Sequence, residues 1–253
     1  MNVILFTQED PFYLPLSTKD LIDKLSCSNH KIVQSIITPP SVFGKNESFL
    51  KKLKRTFEIF GMTFFLFYTI KYIKNKFFLK LSVEKVLNNS MIPTIKISNS
   101  INHSSNVDLI KKLNADLILI IAGNQIINKE ILNSTKYGVF NVHSSLLPFY
   151  KGLMPSFWVL KNKEKYTGVT LYKLTEGIDD GPIIASRKIK ITENETQSTL
   201  VLKLKILAND LIVSDLDKIK NIKDYKSNKG GSYFSFPTKK DVAFFKSTNG
   251  KLI

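Results

Sequence analysis

The chain has 253 residues, 43% of them hydrophobic and 11% aromatic, enough apolar material for one large domain and too much for a disordered chain. Its 37 Lys and Arg against 21 Asp and Glu give a formal charge of +16, which favours anionic partners such as nucleotides, nucleic acid or lipid headgroups, though a lysine-rich surface without a specific partner is at least as good an account. Cys27 is the only cysteine, so an intrachain disulfide framework and a cysteine-based metal site are excluded, as befits a reducing cytosol.

The opening MNVILFTQEDPF has no basic region and only a four-residue apolar run; it reads as a first strand and not as a signal peptide. Asn2 to Phe6 and Lys31 to Thr38 are predicted strands. Between them a helix is expected from Ser17 or Thr18, with Leu21, Ile22 and Leu25 on one face. A basic aromatic insertion over about 41–90 follows. From Lys45 to Lys85 it carries ten Lys or Arg and three Glu, and its longest uncharged run, Ile59 to Ile70, is twelve residues. A membrane span needs ~20, so stable membrane insertion is not expected. Packing against the core or a dimer partner, with solvated lysines, is the favoured reading; lying on a membrane surface is the other.

Ile92 to Ile97 is a short predicted strand, and Ser105-Asn106-Val107-Asp108 reads as a capping box opening a helix through Leu113. Asp116 to Ala122 is a continuous apolar run, as in a parallel strand covered on both faces, broken by Gly123-Asn124. A short helix over Lys129 to Leu132 and a strand over Gly138 to His143 come next, and Pro155 suits the first position of a helix containing Phe157, Trp158 and Leu160. Thr167 to Leu174 and Pro182 to Ile191 are spaced as an antiparallel pair. A long helix then carries Leu200, Leu204, Leu207 and Leu211, and the tail from Lys226 reads as a loop. The fold class is therefore α/β: a Rossmann-like open, mostly parallel sheet with helices on both faces, then an antiparallel strand pair, a long helix and a short tail. Residues 1–215 are expected to form the catalytic domain and 216–253 a C-terminal extension.

In such sheets ligands bind beyond the carboxyl ends of the strands. The segment FNVHSSLLPFYKG puts Asn141 and His143 at such an end, on one face and ~6.7 Å apart along the strand. An amide N–H and an imidazole converging on one oxygen form an oxyanion-stabilising pair. By itself Asn-x-His more often marks a hydrogen-bonded structural histidine, and Asp179 in GIDDGP is also good turn chemistry. A zinc site is disfavoured, because His30 and His103 lack partners at ligand spacing.

Taken together, NVHSSLLPFYKG and GVTLYKLTEGIDDGPII resemble the signature of the folate-dependent formyltransferases, the family of glycinamide ribonucleotide transformylase, methionyl-tRNA formyltransferase and the sugar-nucleotide N-formyltransferases. The elements are Asn-x-His, Ser-Leu-Leu-Pro, Gly-x-Thr and Asp-x-Gly-Pro, in order, over roughly residues 110–192; residues 1–40 match more loosely. Lys151 departs from the family's usual Arg, and Asn124-Gln125 from its usual upstream turn. The resemblance implies that Asn141, His143 and Asp179 are the catalytic triad and that N10-formyltetrahydrofolate is the co-substrate, without a metal. Asn141 and His143 would stabilise the oxyanion, and the Asp179 carboxylate would stabilise the charged imidazole. The folate would be held by the backbone of Ile121, Ala122, Gly123 and Asn124 and by the loop carrying Thr175, Glu176, Gly177 and Asp180.

Substrate contacts are expected from Ser145, Tyr150, Lys151, Tyr233 and Phe234. Some 55 residues follow the start of the long helix, too few for the added barrel of the tRNA enzymes, and the compact ribonucleotide enzyme lacks the insertion. The favoured acceptor is a nucleotide-linked amino-dideoxy sugar, with 4-amino-4,6-dideoxyglucose on dTDP first, for surface polysaccharide such as lipopolysaccharide O-antigen. Its base would stack on Tyr233 or Phe234, against the equally good reading that this stretch packs on the core or a dimer partner. A homodimer is expected, cytoplasmic or peripheral at the inner membrane surface, with no nucleic-acid partner. The alternatives are methionyl-tRNA or glycinamide ribonucleotide as acceptor, and a non-catalytic folate-binding or membrane-associated scaffold.

Overall fold

The structure, a computed structural model, describes residues 1–40, 48–221 and 225–253; the first part of the predicted insertion, 41–47, lies outside the described residues, as does 222–224 of the predicted extension. Strand β1 (Asn2–Gln8) is buried on both faces, as the run Val3-Ile4-Leu5-Phe6 requires of a strand sandwiched between helices. Helix α1 (Leu14–Leu25) begins earlier than Ser17. Asp10 accepts the N–H groups of Phe12, Tyr13 and Leu14 at 2.7, 3.3 and 3.4 Å, and Pro15 fits the first turn. Strand β2 (Lys31–Thr38) runs parallel to β1.

The insertion is a helical hairpin. Helices α2 (Phe49–Phe60) and α3 (Met62–Ile73) turn at Gly61, whose φ is +85°, and α3 runs on into a π turn over Lys74–Phe78. The insertion is narrower than 41–90, because α4 (Val83–Asn89) belongs to the core: Val83 and Leu87 are fully buried beside α1. Strand β3 (Thr94–Lys96) is shorter than predicted. Helix α5 (Ser104–Lys112) is not opened by the expected Ser105–Asp108 capping box. His103 is the cap instead, its Nδ1 accepting the Ser105 N–H at 3.4 Å, while Asn106 turns inward to donate to Asn99 and Ser100.

Strand β4 (Leu117–Ile120), helix α6 (Lys129–Leu132) and strand β5 (Gly138–His143) follow, then a two-residue β6 (Lys151–Gly152) and α7 (Pro155–Lys161). Strands β7 (Tyr166–Lys173) and β8 (Ile183–Lys190) are the predicted antiparallel pair, and α8 (Gln197–Asp215) is the long helix. The tail is not a loop. Strand β9 (Tyr233–Phe234) pairs parallel with β6, and α9 (Lys239–Ser247) opens with a capping box between Thr238 and Asp241.

The main sheet has the order β3-β2-β1-β4-β5-β7-β8, parallel through β5 and antiparallel beyond it. One face packs Leu21, Leu87, Leu204 and Leu211 from α1, α4 and α8; the other packs Val107, Ile110 and Ile131 from α5 and α6. A third core joins insertion, α7 and tail through Phe60, Phe64, Phe157, Trp158, Val242 and Phe245. The chain steps outward from β1 to β3 and returns at β4, so the sheet's topological switch lies between β1 and β4. A cleft opens above the carboxyl ends of β4 and β5 beside it.

Candidate active site

The cleft has a volume of about 280 Å³ and runs from the loop after β4 to α8, with Asn141 and His143 in its wall. The ends of β5 and β7 build its centre through register alone. Asn141 lies directly opposite Tyr172, and His143 opposite Thr170. Thr170 Oγ1 donates to the Ser145 carbonyl at 2.7 Å and accepts the Leu147 N–H at 3.1 Å, which fixes the Ser-Ser-Leu-Leu-Pro loop against β7. That loop returns the chain so that His143 Nε2 lies 2.7 Å from the Tyr150 carbonyl oxygen. A carbonyl only accepts, so Nε2 carries a hydrogen. The nitrogen that gains or loses a proton is then Nδ1, and it lies 3.6 Å from Asp179 Oδ2.

Asp179 is held on both oxygens. Oδ2 accepts the Gly152 N–H at 2.7 Å and Oδ1 accepts the Tyr172 hydroxyl at 2.5 Å. Asp179 itself is left-handed, with φ +49°, a conformation that Asp adopts more readily than most residues. Its loop is anchored from the tail by Asn228, whose amide donates to the carbonyls of Asp179 and Gly181 at 2.9 and 2.8 Å. Gly152 has φ +91°, and a Cβ there would come within 2.3 Å of the Phe234 carbonyl oxygen; only glycine brings this N–H to the carboxylate. The Tyr172 hydroxyl also accepts from Asn141 Nδ2 at 3.0 Å. Burial first, and the Asp179 charge second, push the Tyr172 pKa well above the usual phenol range, so the hydroxyl keeps its proton and orients both neighbours. Asn141 retains a second N–H for a ligand. The result is an amide donor and a titratable imidazole nitrogen, backed by a carboxylate, in a largely apolar cleft. That set can stabilise a developing oxyanion and carry a proton.

Of the residues expected to hold a cofactor, Ile121, Ala122 and Gly123 form one wall and Thr175, Glu176 and Gly177 another. Among the described residues, the peptide groups of Ala122, Gly123 and 175–178 make no backbone hydrogen bonds, leaving donors and acceptors for a planar, hydrogen-bonding heterocycle. Ile126, Ile127 and Leu174 supply apolar surface. Asn124 lines the same wall, while its buried side chain turns inward, accepting from Thr38 at 2.9 Å and donating to Gln8 and Pro39 at 3.1 and 2.9 Å. One member of the set lies elsewhere. Asp180 is exposed outside the cleft and accepts from Thr175 Oγ1.

The expected substrate residues do not converge. Ser145 is fully buried and donates to the Phe149 carbonyl at 2.8 Å, bracing the loop rather than facing the cleft. The Tyr150 hydroxyl donates to Glu164 at 2.6 Å; burial and that carboxylate push its pKa up to about 12. Lys151 donates to the Asn228 carbonyl at 3.1 Å. Phe234 stacks between Tyr150 and Trp158, with centroids 5.2 and 4.8 Å away, so core packing accounts for it. Tyr233 is exposed, opposite Lys151 in the short β6–β9 pair, and is not among the residues lining the cleft.

The far end of the cleft is built by residues that carry no motif: Ser17 of α1 and Lys205, Ala208 and Asn209 of α8. Lys205 forms no hydrogen bond or ion pair among the described residues; burial lowers its pKa, with only the Asp10 charge opposing. The Asn209 amide donates to Ser17 O and Asp20 Oδ2, both at 2.8 Å, while its Oδ1 is buried without a partner among the described residues. A cation and an acceptor are thus left over on one helical face, four residues apart. The sequence signal, one of two lysines in a leucine-rich helix, is faint. Tyr172 could have been found from the β5–β7 register.

The sequence family described as Formyl transferase matches residues 79–216. The methionyl-tRNA formyltransferase of Agathobacter rectalis is 37% identical over 121 residues, 48% of this chain and 39% of that protein. That of Thermodesulfovibrio yellowstonii is 39% identical over 133 residues, 52% of this chain and 43% of that protein. The chain thus matches about two-fifths of the length of these relatives. Among solved structures, the phosphoribosylglycinamide formyltransferase of Bacillus halodurans superposes with TM-score 0.62 at 19% identity, covering 88% of this chain and 97% of that one. An N-formyltransferase from Helicobacter canadensis in complex with folinic acid and dTDP-3-aminofucose gives TM-score 0.56 at 20% identity over 93% and 71%. At these identities the superpositions establish the fold.

Proposed function

Because the chain belongs to the formyl transferase family, we propose that it transfers the formyl group of N10-formyltetrahydrofolate to a primary amine, with Asn141, His143 and Asp179 as the catalytic residues. The observation that carries this is the convergence of the three at one point of the cleft: Asn141 tied through Tyr172 to Asp179, and His143 Nδ1 3.6 Å from Asp179.

The folate co-substrate supplies a formyl carbon open to attack by the amine. The free peptide groups of Ala122, Gly123 and 175–178 suit the edge of its bicyclic ring, and Ile126, Ile127 and Leu174 suit the ring face. The spare N–H of Asn141 donates to the formyl oxygen, where negative charge develops. His143 adds positive charge beside it, with Nε2–H locked on the Tyr150 carbonyl and Nδ1 the site where the proton is held or exchanged. Asp179 balances that charge, and Tyr172 and Gly152 keep its oxygens from turning away.

The acceptor then enters from the α8 end. Lys205, without a hydrogen bond or ion pair among the described residues, fits an anionic acceptor, and a nucleotide-linked amino-dideoxy sugar is the reading we favour, with dTDP-4-amino-4,6-dideoxyglucose first. Support comes from the Helicobacter canadensis protein of like fold, which was crystallised with dTDP-3-aminofucose. A second reading, methionyl-tRNA, is favoured by the sequence relatives, and a tRNA is anionic too. The test is a panel of dTDP- and UDP-linked 3-amino and 4-amino sugars, glycinamide ribonucleotide and Met-tRNA, each with the formyl donor. Preference for a nucleotide sugar supports the first reading; preference for Met-tRNA replaces it with the second. Absence of transfer to every amine, with folate still bound, would leave a binding scaffold and sink the catalytic assignment.

A further inference from the structure

The insertion hairpin presents two apolar faces. One stripe of α3 and its π turn, Phe64, Tyr68 and Asn75, is applied to the body: Phe64 joins the core of Phe157, Trp158, Val242 and Phe245, Tyr68 Oη lies 2.5 Å from Tyr13 Oη, and Asn75 donates to the Pro11 carbonyl at 2.7 Å. The opposite stripe, Met62, Leu66, Ile70, Ile73 and Phe77, is turned to solvent, 44–66% exposed. It spans roughly 22 Å at helical rise. Phe78 and Leu79, 78% and 51% exposed, extend it at the tip. Ten of the twenty-one large hydrophobic side chains that are exposed among the described residues fall within 50–79. A helix apolar on every side is ordinarily covered on every side, and so long an exposed stripe marks an interaction surface.

Charge decides what covers it. Between Ser48 and Leu81 there are eight Lys or Arg and one Glu, 8 − 1 = +7. By helical spacing Lys74 and Lys76 stand on either side of the stripe, and Lys80 follows at the tip; all three are exposed. Lys76 also donates to Tyr72 Oη at 2.7 Å, which leaves its charge at the surface. A second copy of the chain would set +7 against +7 across a two-fold axis. An anionic bilayer accepts both features at once, lysines among the headgroups and aliphatic and phenyl side chains below them. No helix among the described residues is long and apolar enough to cross a membrane, so the contact is an interfacial one. We infer that the outer face of α3 and its π turn docks on the surface of an anionic phospholipid bilayer, with the helix axis in the membrane plane. This does not depend on which amine is formylated.

The test uses the whole protein and sedimentation with vesicles of phosphatidylcholine alone or mixed with phosphatidylglycerol. Binding is expected to the mixed vesicles only and to weaken in high salt. The double variants Ile70→Ser/Phe77→Ser and Lys74→Glu/Lys76→Glu change exposed positions, so both should fold with unchanged melting temperatures, and each should lose about tenfold or more in binding. Three results overturn the inference: no binding to mixed vesicles; binding that neither variant weakens or that ignores lipid charge; or a dimer in lipid-free solution that Ile70→Ser/Phe77→Ser converts to monomer, which would make a second copy the cover of this face.

Discussion

Asp179→Asn separates charge from shape at the centre of the site. The two side chains differ by one atom type, and Asn tolerates φ near +50° as Asp does, so the loop should keep its path. The electrostatics change sharply. Asp179 Oδ2 and His143 Nδ1 are 3.6 Å apart with side chains only 12% and 8% exposed, so a full charge on each attracts by about 4–5 kcal/mol at an effective dielectric constant of ~20. The hydrogen bonds also conflict. Asp179 accepts from both Gly152 N–H and the Tyr172 hydroxyl, whereas an amide can accept from only one side. With its oxygen on Gly152, its NH₂ meets the Tyr172 oxygen, which already accepts from Asn141; the Tyr172 proton is then left over. Loss of one charge-assisted hydrogen bond costs ~1.5–3 kcal/mol, a drop in Tm of roughly 3–12 °C for a chain of this size. Turnover should fall by ~10²–10³, the scale of a lost electrostatic stabiliser. The assay is single-turnover formyl transfer with the preferred acceptor, beside a thermal melt. A variant that melts within a few degrees of the native protein and retains turnover within about threefold would refute the reasoning.

Tyr172→Phe removes the hydroxyl shared by Asn141 and Asp179; kcat should fall by ~10–10² with KM for folate nearly unchanged, measured by steady-state kinetics, because both partners remain but lose their aim. Lys205→Met should act oppositely on stability and affinity, raising Tm while raising the KM of an anionic acceptor by ~10-fold or more, the scale of a hydrogen bond between charged groups. Its pH dependence follows from burial lowering the Lys205 pKa below the usual 10.5. The native state sheds that proton before the unfolded state does, so the stability gap between variant and wild type is full below the lowered pKa and closes as pH rises toward 10.5; denaturant melts across the alkaline range check it. Gly152→Ala forces a Cβ against the Phe234 carbonyl at 2.3 Å and strains φ +91°, so activity and Tm should fall together, in transfer assays and melts. Phe234→Ala should cost ~2–4 kcal/mol of stability by denaturant titration through lost stacking, and the exposed Tyr233→Ala under ~0.5 kcal/mol; the reverse order would restore a ligand-stacking role for Phe234.

What could be read from the sequence follows from how local its cause is. β5 was bounded correctly at Gly138 and His143 because an apolar run, a glycine and a loop fix it within a few residues. Asn141, His143 and Asp179 could be brought together in advance because two contiguous motifs flank one strand pair. Polarity and aromaticity say nothing of direction, so sequence alone does not show that Ser145 points at the carbonyl of its own loop or that the Phe234 ring packs beside Trp158, one of the two readings open for it. The helix α9 was overlooked although Thr238 and Asp241 spell a capping box, since the glycines and aromatic residues before it read as loop. His103 displaced Ser105 as the cap of α5 because Asn106 found better partners inward. Lys205 and Tyr172 matter only through contacts made by tertiary packing.

The two ends of the cleft therefore differ in kind. On the proposed reading the folate end is largely written in one stretch, from the Asn-x-His strand to the Asp-containing loop, closed by Ala122 and Gly123 after β4 and braced from the tail by Asn228. The far end, where that reading places the acceptor, is assembled from two separate segments, α1 and α8. Asp10, whose charge opposes the effect of burial on Lys205, also caps α1. Next to that cap, the Tyr13 hydroxyl lies 2.5 Å from Tyr68 of the insertion and 2.8 Å from Ser198 of α8. The insertion, α1 and α8 are thus tied together at the first turn of α8, about two turns from Lys205. A shift of the insertion would reach α1 and the start of α8 through Tyr13 and Ser198, and not directly Asn141 and His143, which rest on β7. On the proposed reading, acceptor choice can change through the insertion and α8 while the chemistry at β5 stays as it is.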